Sequence, residues 1–162
     1  PHGICMDPCA GWDEKHWPFY KAMTEYNSGG HNIGNDINVD KGFDFLKMDS
    51  EEFATDWIVT NPPWGKKFGG FLDRSMDISD NIVFLVNANA LMTKSRLRMI
   101  HGRGFSIQEM LFVPTPPPPW PQSGFQLCAV WLRRGWAKSI NYSFISINYE
   151  QPKGQNENAV TQ

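Results

Sequence analysis

The chain has 162 residues, of which 41% are hydrophobic and 14% aromatic, and its formal net charge is −2. This length and composition predict one globular domain with a core of ordinary size and exclude a chain that is disordered throughout. No apolar run approaches the ~20 residues that a membrane-spanning helix needs, and no charged-then-apolar leader precedes the first strand, so we expect a cytoplasmic protein. Because the overall charge does not attract nucleic acid, any phosphate binding must depend on local lysines and arginines.

The cysteines and histidines show no metal-binding pattern. Cys5, Cys9 and Cys128 form an odd set, and none is spaced from the four histidines as zinc ligands are. We therefore expect reduced cysteines that pack in the core, and neither a disulfide nor a metal site.

The first predicted element is a short buried strand over residues 3–6, which opens into an acidic turn that contains a glycine. The turn consists of Asp7, Pro8, Cys9, Ala10 and Gly11. In an open α/β sheet, ligands collect at the carboxyl ends of the strands, so this turn is predicted to receive a nucleoside cofactor.

Two further carboxylates follow. A helix over 15–26 ends at a Gly-Gly break, and a second short strand within 32–38 is predicted to end on Asp36. An acid at that point suits a ribose, whose two hydroxyls need an acceptor. Asp44 then stands between Phe43 and Phe45, and its expected partner is the exocyclic amine of the cofactor's adenine.

A third strand, over the apolar run 57–60, leads directly into Asn61, Pro62, Pro63 and Trp64. Because proline has no N–H, the carbonyls of Asn61 and Pro62 are left free to accept hydrogen bonds from a ligand. Trp64 offers a ring face for stacking. The pattern predicts a site for a planar amine; the alternative is an ordinary strand-ending turn with a tryptophan packed beneath it.

The rest of the chain continues the alternation of helices and strands without repeats. We predict a helix over 68–78, a buried strand over 81–86 and a helix that begins at the N-cap Thr93 and ends near Gly102. Strands over 107–113 and 126–132 complete the pattern, which is typical of an α/β fold.

The connection 114–125 between those last strands is rich in proline, which favours a stiff polyproline II conformation. It carries Trp120 and Phe125, and we interpret it as a lip over the active site. A ligand for a proline-binding module and a stiff edge loop are the alternatives. Residues 151–162 are polar and without periodicity, so we predict a flexible tail after a single domain over 1–150.

Taken in this order, the motifs resemble those of the class I S-adenosylmethionine-dependent methyltransferases, specifically the enzymes that methylate the amino group of adenine in DNA. The turn 7–11 is similar to their cofactor turn, Asp36 to their ribose-binding acid, Asp44 and Phe45 to their adenine-contacting Asp-Phe-Leu segment, and residues 61–64 to their catalytic Asn-Pro-Pro-aromatic motif. The resemblance covers residues 3–135. One departure is that the family usually has a second glycine soon after Gly11, where this chain has Trp12.

The resemblance implies a Rossmann-like fold, with a mostly parallel sheet and a C-terminal antiparallel hairpin. It also implies S-adenosyl-L-methionine as cofactor and direct transfer of its methyl group to adenine in DNA, with Asn61, Pro62, Pro63 and Trp64 as the catalytic motif. Asn61 and the Pro62 carbonyl would accept the two amine hydrogens. An RNA base, a protein glutamine amide and a non-catalytic subunit are the alternatives.

Binding of the acceptor is expected to involve charged and aromatic side chains near the motif. Lys66 and Lys67 directly follow Trp64 and are predicted to bind the phosphates of DNA, or of RNA, beside Trp120 and Phe125. The predicted elements leave no segment for a separate target-recognition domain. We therefore expect an oligomer or a partner subunit to supply recognition.

Overall fold

The structure is a computed structural model, and it describes residues 2–12, 18–40, 43–114 and 124–145. Its strands are β1 (Ile4–Asp7), β2 (His31–Gly34), β3 (Trp57–Thr60), β4 (Asn81–Asn87), β5 (Phe105–Phe112), β6 (Leu127–Arg134) and β7 (Asn141–Phe144). Its α-helices are α1 (Pro18–Tyr26), α2 (Phe68–Ile78) and α3 (Lys94–Gly102), and short 3-10 helices cover Phe45–Lys47, Gly65–Lys67 and Ala88–Ala90. The predicted tail over 151–162 lies outside the described residues.

The strands form one seven-stranded sheet in the order β2-β1-β3-β4-β6-β5-β7. β1 runs parallel to β2 and β3, and β3 runs parallel to β4. β6 runs antiparallel to both of its neighbours, β4 and β5. The predicted Rossmann-like sheet, mostly parallel with an antiparallel hairpin near its C-terminal end, is confirmed.

The edge strand β7, which pairs in parallel with β5, is not predicted from the sequence. Three of its four residues are exposed, so it lacks the alternation of apolar and polar residues that marks a half-buried strand. Tyr142 and Phe144 lie on the same face of the strand and both stack on Phe112, at centroid distances of 6.4 and 5.1 Å. Cross-strand aromatic contacts therefore stabilise this edge.

The core lies where α2 packs on the central strands. In α2 the buried apolar residues Phe68, Phe71, Leu72 and Met76 recur at the spacing of one helix face. β4 alternates strictly between buried and half-buried residues, and Ile82, Phe84 and Val86 are fully buried. None of the described helices combines the length and the apolar character needed to cross a membrane.

Because β1 to β4 are parallel, their carboxyl ends meet at one edge of the sheet. The acidic turn, Asp36, the motif 61–64 and Asn87, the last residue of β4, therefore lie at this edge. This edge is where open parallel sheets bind their ligands.

Candidate functional site

One cavity at this edge has a volume of about 330 Å³, and we call it the acidic cavity. It is lined by the carboxyl-bearing residues Asp36 and Asp44 and by Asn61 and Pro63 of the motif 61–64. Eight predicted site residues line it: Pro8, Cys9, Asp36, Asp44, Phe45, Asn61, Pro63 and Lys67. The fold thus brings together residues from four separate segments of the chain.

Asp7 supports the turn beneath this cavity. Its side chain is fully buried, and Oδ1 accepts hydrogen bonds from the Thr60 hydroxyl at 2.7 Å and the Cys9 backbone N–H at 3.2 Å. Its second oxygen, Oδ2, is buried without a hydrogen-bond partner among the described residues. Burial raises the pKa of Asp7 to about 6, against the lowering effect of these two hydrogen bonds. The geometry ties β1 to β3, and a direct contact of Asp7 with a cofactor stays a prediction.

The loops after β1 and β2 are clasped together by the backbone. The Ala10 N–H donates to the Asn35 carbonyl at 3.0 Å, and the Asn35 N–H donates to the Asp7 carbonyl at 3.0 Å. Gly11 has φ of +105°, a conformation that strongly favours glycine. Its N–H donates to Asp36 Oδ2 at 3.1 Å, which places the acid beside the turn.

Asp36 is held by its own loop and keeps some capacity to accept. The side chain is 8% exposed, and Oδ1 accepts from the Asn38 backbone N–H at 2.9 Å and from Asn38 Nδ2 at 2.7 Å. The expectation that β2 ends on Asp36 is wrong, because the strand ends at Gly34. A turn positions the carboxylate, and Oδ2, which among the described residues accepts only from the Gly11 N–H, can accept a further hydrogen bond.

Asp44 forms the far wall of the acidic cavity. Oδ1 caps the 3-10 helix Phe45–Lys47 by accepting from the Leu46 N–H, and Oδ2 lies 2.9 Å from Lys47 Nζ. The hydrogen bond from Lys47 and, to a smaller extent, the charge of Lys67 hold the pKa of Asp44 below its usual value. Phe45 is buried and stacks on Phe71 at 4.9 Å, so it lines the cavity with an apolar surface.

The motif 61–64 separates the acidic cavity from the second cavity. Asn61 and Pro63 line the acidic cavity, and Asn61 Oδ1 is buried without a hydrogen-bond partner among the described residues. Pro62 is buried between them. Trp64, 44% exposed, lines the other side, and Gly65, with φ of +79°, turns the chain into the next short helix.

The second cavity has a volume of about 420 Å³ and is called the aromatic cavity below. Trp64 and Phe125 form one wall, with ring centroids 5.3 Å apart at an interplanar angle of 42°. An arginine and two amides also line the cavity. The lining residues besides the two rings are Gly65, Phe68, Asn87, Asn89, Ala90 and Arg96. Phe125 thus lies beside the motif, and its contact with the substrate stays a prediction; Trp120 lies outside the described residues.

The two lysines predicted to bind phosphate have different positions relative to the cavities. Lys67 lines the acidic cavity, and Lys66, which is exposed, lines neither of the two cavities. Both residues belong to the 3-10 helix Gly65–Lys67, in which neighbouring side chains diverge by a third of a turn. The structure therefore offers no support for treating the two lysines as one phosphate-binding patch.

Sequence reasoning missed most of the polar wall of the aromatic cavity. Asn87 is the last residue of β4 and Asn89 lies just after it, so the rule that ligands collect at strand ends could have found them. Arg96 carries no such signal, because its position depends on how α3 packs. The three cysteines are free thiols, and burial raises the pKa of Cys128 to about 11. Among the described residues, no cluster of three metal-ligating side chains occurs.

Neither a protein-family model nor a curated protein sequence matches the chain. Solved structures do. A Listeria monocytogenes protein assigned to the class I S-adenosylmethionine-dependent methyltransferases superposes on 88% of this chain with a TM-score of 0.61 and 11% identity. A protein of Vibrio vulnificus assigned as the modification subunit of a type I restriction enzyme superposes on 93%, with a TM-score of 0.57 and 12% identity.

The M protein of the type I restriction enzyme EcoKI superposes on 83% of the chain, with a TM-score of 0.50 and 12% identity. The chain covers 58%, 45% and 40% of these three proteins, so it spans about half of their length. At such low identity the likeness shows the fold alone. The chain has the fold of the class I S-adenosylmethionine-dependent methyltransferases, as its motifs predict.

Proposed function

We propose that this chain is an S-adenosylmethionine-dependent methyltransferase that acts on the exocyclic amino group of adenine in DNA. The observation that carries the proposal is the position of the motif 61–64 between two cavities of different chemistry. Asn61 and Pro63 line the acidic cavity, and Trp64 lines the aromatic cavity. A cofactor in the first and a planar amine in the second would meet at this motif.

The acidic cavity suits the proposed cofactor in both charge and donor set. Asp36 Oδ2 can accept from a ribose hydroxyl, and Asp44 can accept from an adenine amine, although its oxygens are shared with Leu46 and Lys47. Phe45 adds an apolar surface. When bound, S-adenosylmethionine supplies an electrophilic methyl group on a positively charged sulfur. Carboxylates near a cation stabilise it, which favours this cofactor over an anionic one.

Asn61 is the residue on which the chemistry would depend. A buried acceptor without a partner is energetically unfavourable, so Asn61 Oδ1 gains most from a ligand that donates to it. An amine hydrogen is such a donor, and the hydrogen bond strengthens as the nitrogen becomes positively charged. Because the amide is neutral, Asn61 orients the amine and does not remove its proton. The Pro62 carbonyl is the proposed second acceptor.

The aromatic cavity supports a base as the acceptor. Trp64 and Phe125 provide ring surfaces for stacking, which is how proteins hold a base that has left the helix. An adenine inside a duplex would have to be extruded, at a cost of a few kcal/mol. An RNA base and a glutamine amide are the competing acceptors.

The partner is also a proposal. Two of the structurally similar proteins are a modification subunit and an M protein of type I restriction enzymes. By analogy, a partner subunit or a second copy of the chain would supply target recognition. A cytoplasmic location stays a prediction.

The test has two steps. First, calorimetric titration of the whole chain with S-adenosylmethionine should show binding, and its absence would favour a non-catalytic subunit. Second, transfer of a tritiated methyl group is measured on duplex DNA, on RNA of the same sequence and on glutamine peptides. The proposal expects labelled adenine in DNA. Labelling of RNA or peptide alone would reassign the acceptor, and binding without any transfer would remove the enzymatic function.

A further inference from the structure

The arginines of this chain differ in whether a carboxylate neutralises the charge of the guanidinium. Arg103 forms ion pairs with Asp73 and Asp77, each at 2.6 Å, and Arg134 pairs with Asp80. Arg96 is half-buried, yet no carboxylate lies within ion-pair distance of it among the described residues. A cation that is partly removed from water and has no counter-charge is unfavourable, unless a ligand supplies an anion.

Arg96 is nevertheless fixed in place. Its guanidinium carbon lies 4.7 Å from the centre of the Phe68 ring, and Nη1 donates to the Ala90 carbonyl. These contacts join the first turn of α3 to the start of α2 and to the 3-10 helix Ala88–Ala90. Since the side chain is already ordered, little conformational entropy would be lost when it binds a ligand.

The surroundings of Arg96 match the chemistry of a nucleotide. A guanidinium has five N–H donors, and among the described residues only the Ala90 carbonyl accepts from Arg96, which leaves a fork of donors that fits a phosphate. The same cavity offers the rings of Trp64 and Phe125, on which a base can stack. A glutamine side chain would use neither the positive charge nor the extended aromatic surface.

We infer that Arg96 binds a backbone phosphate of the nucleotide whose base enters the aromatic cavity, so this cavity accepts nucleic acid and not a protein amide. The inference rests on the proposed function of the same site and names its substrate class. It also replaces Lys66 and Lys67 as the principal phosphate contact. The ion pairs of Arg103 leave that residue unsuited to the role.

The test measures binding of a fluorescent single-stranded oligonucleotide with one adenine, without cofactor, over a range of salt concentrations. Arg96→Met keeps the aliphatic stem and removes the charge, and Arg98→Met, at an exposed position of the same helix, is the matched control. We expect Arg96→Met to weaken binding about tenfold to a hundredfold and to reduce the salt slope by about 0.7, the value for one single-strand phosphate contact. Arg98→Met should change the salt slope less.

A second arm identifies the phosphate. Replacing the phosphates beside the adenine by neutral methylphosphonates should weaken binding to the wild-type protein and have no further effect on Arg96→Met. The inference would be overturned if methylphosphonates weakened binding to Arg96→Met as much as binding to the wild type. It would also be overturned if Arg96→Met kept the salt slope of the wild type. Tighter binding of a glutamine peptide than of the oligonucleotide would overturn it as well.

The proposed function can fail separately. If the wild-type protein binds the oligonucleotide through Arg96 but does not bind S-adenosylmethionine, the inference stands and the methyltransferase proposal falls. Arg96→Met should bind S-adenosylmethionine as the wild type does, because the acidic cavity does not contain Arg96. Its thermal unfolding is compared with that of Arg98→Met, so that loss of the Phe68 contact is measured apart from binding. A restored salt slope in Arg96→Lys would support the charge contact.

Discussion

The two cavities on either side of the motif 61–64 are built in different ways. The acidic cavity is formed mainly by the loops that follow β1, β2 and β3, and short backbone hydrogen bonds clasp two of these loops together. The aromatic cavity takes its residues from the loops after β3 and β4, from two helices and from the segment before β6. Its walls therefore depend on tertiary packing more than on strand ends.

The two cavities would therefore select the cofactor and the acceptor of the proposed reaction by different interactions. The polar groups of the acidic cavity are mainly carboxylates. Protein donors already occupy some of their oxygens, so the remaining lone pairs would select the ligand. In the aromatic cavity, ring surfaces and one cation dominate. If the comparison is right, variants on the two sides should separate cofactor binding from acceptor binding.

The largest effect is expected for Asn61→Ala, at the boundary of the two cavities. The change removes an acceptor that becomes more important as the amine gains positive charge, so turnover should fall by about tenfold to a thousandfold. Affinity for S-adenosylmethionine should stay nearly unchanged. Single-turnover methylation and calorimetry measure the two quantities, with Asn141→Ala on the exposed edge strand as control. If turnover and the affinity for S-adenosylmethionine fell by the same factor, Asn61 would be assigned to the cofactor site.

The buried carboxyl group of Asp7, beneath the acidic cavity, should make the stability of the protein depend on pH. Its folded-state pKa of about 6 lies above the usual 3.8, so folding favours the protonated form. The stability from Asp7 is therefore fully present below pH 4 and is lost as the pH rises through 6. At about 1.4 kcal/mol per pKa unit, the loss is about 3 kcal/mol.

Asp7→Asn removes this titration. Urea unfolding of the wild type and the variant between pH 3.5 and 7.5 should show the variant gaining about 3 kcal/mol relative to the wild type as the pH rises. A stability difference that does not change with pH would mean that Asp7 Oδ2 has a partner in the folded protein.

Asp36→Ala should weaken binding of the cofactor and leave oligonucleotide binding unchanged. Loss of the proposed ribose hydrogen bonds is expected to weaken S-adenosylmethionine binding by about 1 to 3 kcal/mol, and the clasp to Gly11 is lost with them. Asp40→Ala, at an exposed position four residues further along the chain, is the control. Oligonucleotide binding should be the same in both variants. Unchanged cofactor affinity in Asp36→Ala would show that the acidic cavity is assigned to the wrong ligand.

The contrast between the cavities also explains what the sequence could predict. Asp36, Asp44 and Asn61 each follow a strand or a short apolar segment, and the parallel topology, once inferred, brings such residues to one edge. Arg96 has no comparable signal, since a helix presents charged residues in many directions and only packing against Phe68 selects this one.

Local backbone geometry explains most of the other differences between the sequence-based predictions and the structure. Lys66 and Lys67 are adjacent in sequence, but the 3-10 helix separates them, so only Lys67 reaches the acidic cavity. The turn after β2 moves Asp36 two residues beyond the strand, and the exposed strand β7 gives no periodic pattern. In the first two cases the local backbone decided the outcome, and in the third the pairing of β7 with β5 did.

The smallest expected effect, and the one that most directly tests the aromatic cavity, is that of Trp64→Ala. The tryptophan is 44% exposed and packs on Phe125, so its removal should cost little stability but take away a stacking surface worth about 1 to 3 kcal/mol per base. Since that surface would hold an extruded base, the defect should be larger for paired than for unpaired adenine, where extrusion is easier. Single-turnover methylation of a duplex and of the same strand with a mismatched adenine gives the two rates. Phe144→Ala, an exposed aromatic on β7, is the matched control. Equal loss on both substrates would mean that Trp64 shapes the pocket without capturing the base, and unchanged rates on both would leave the aromatic cavity without a part in the reaction.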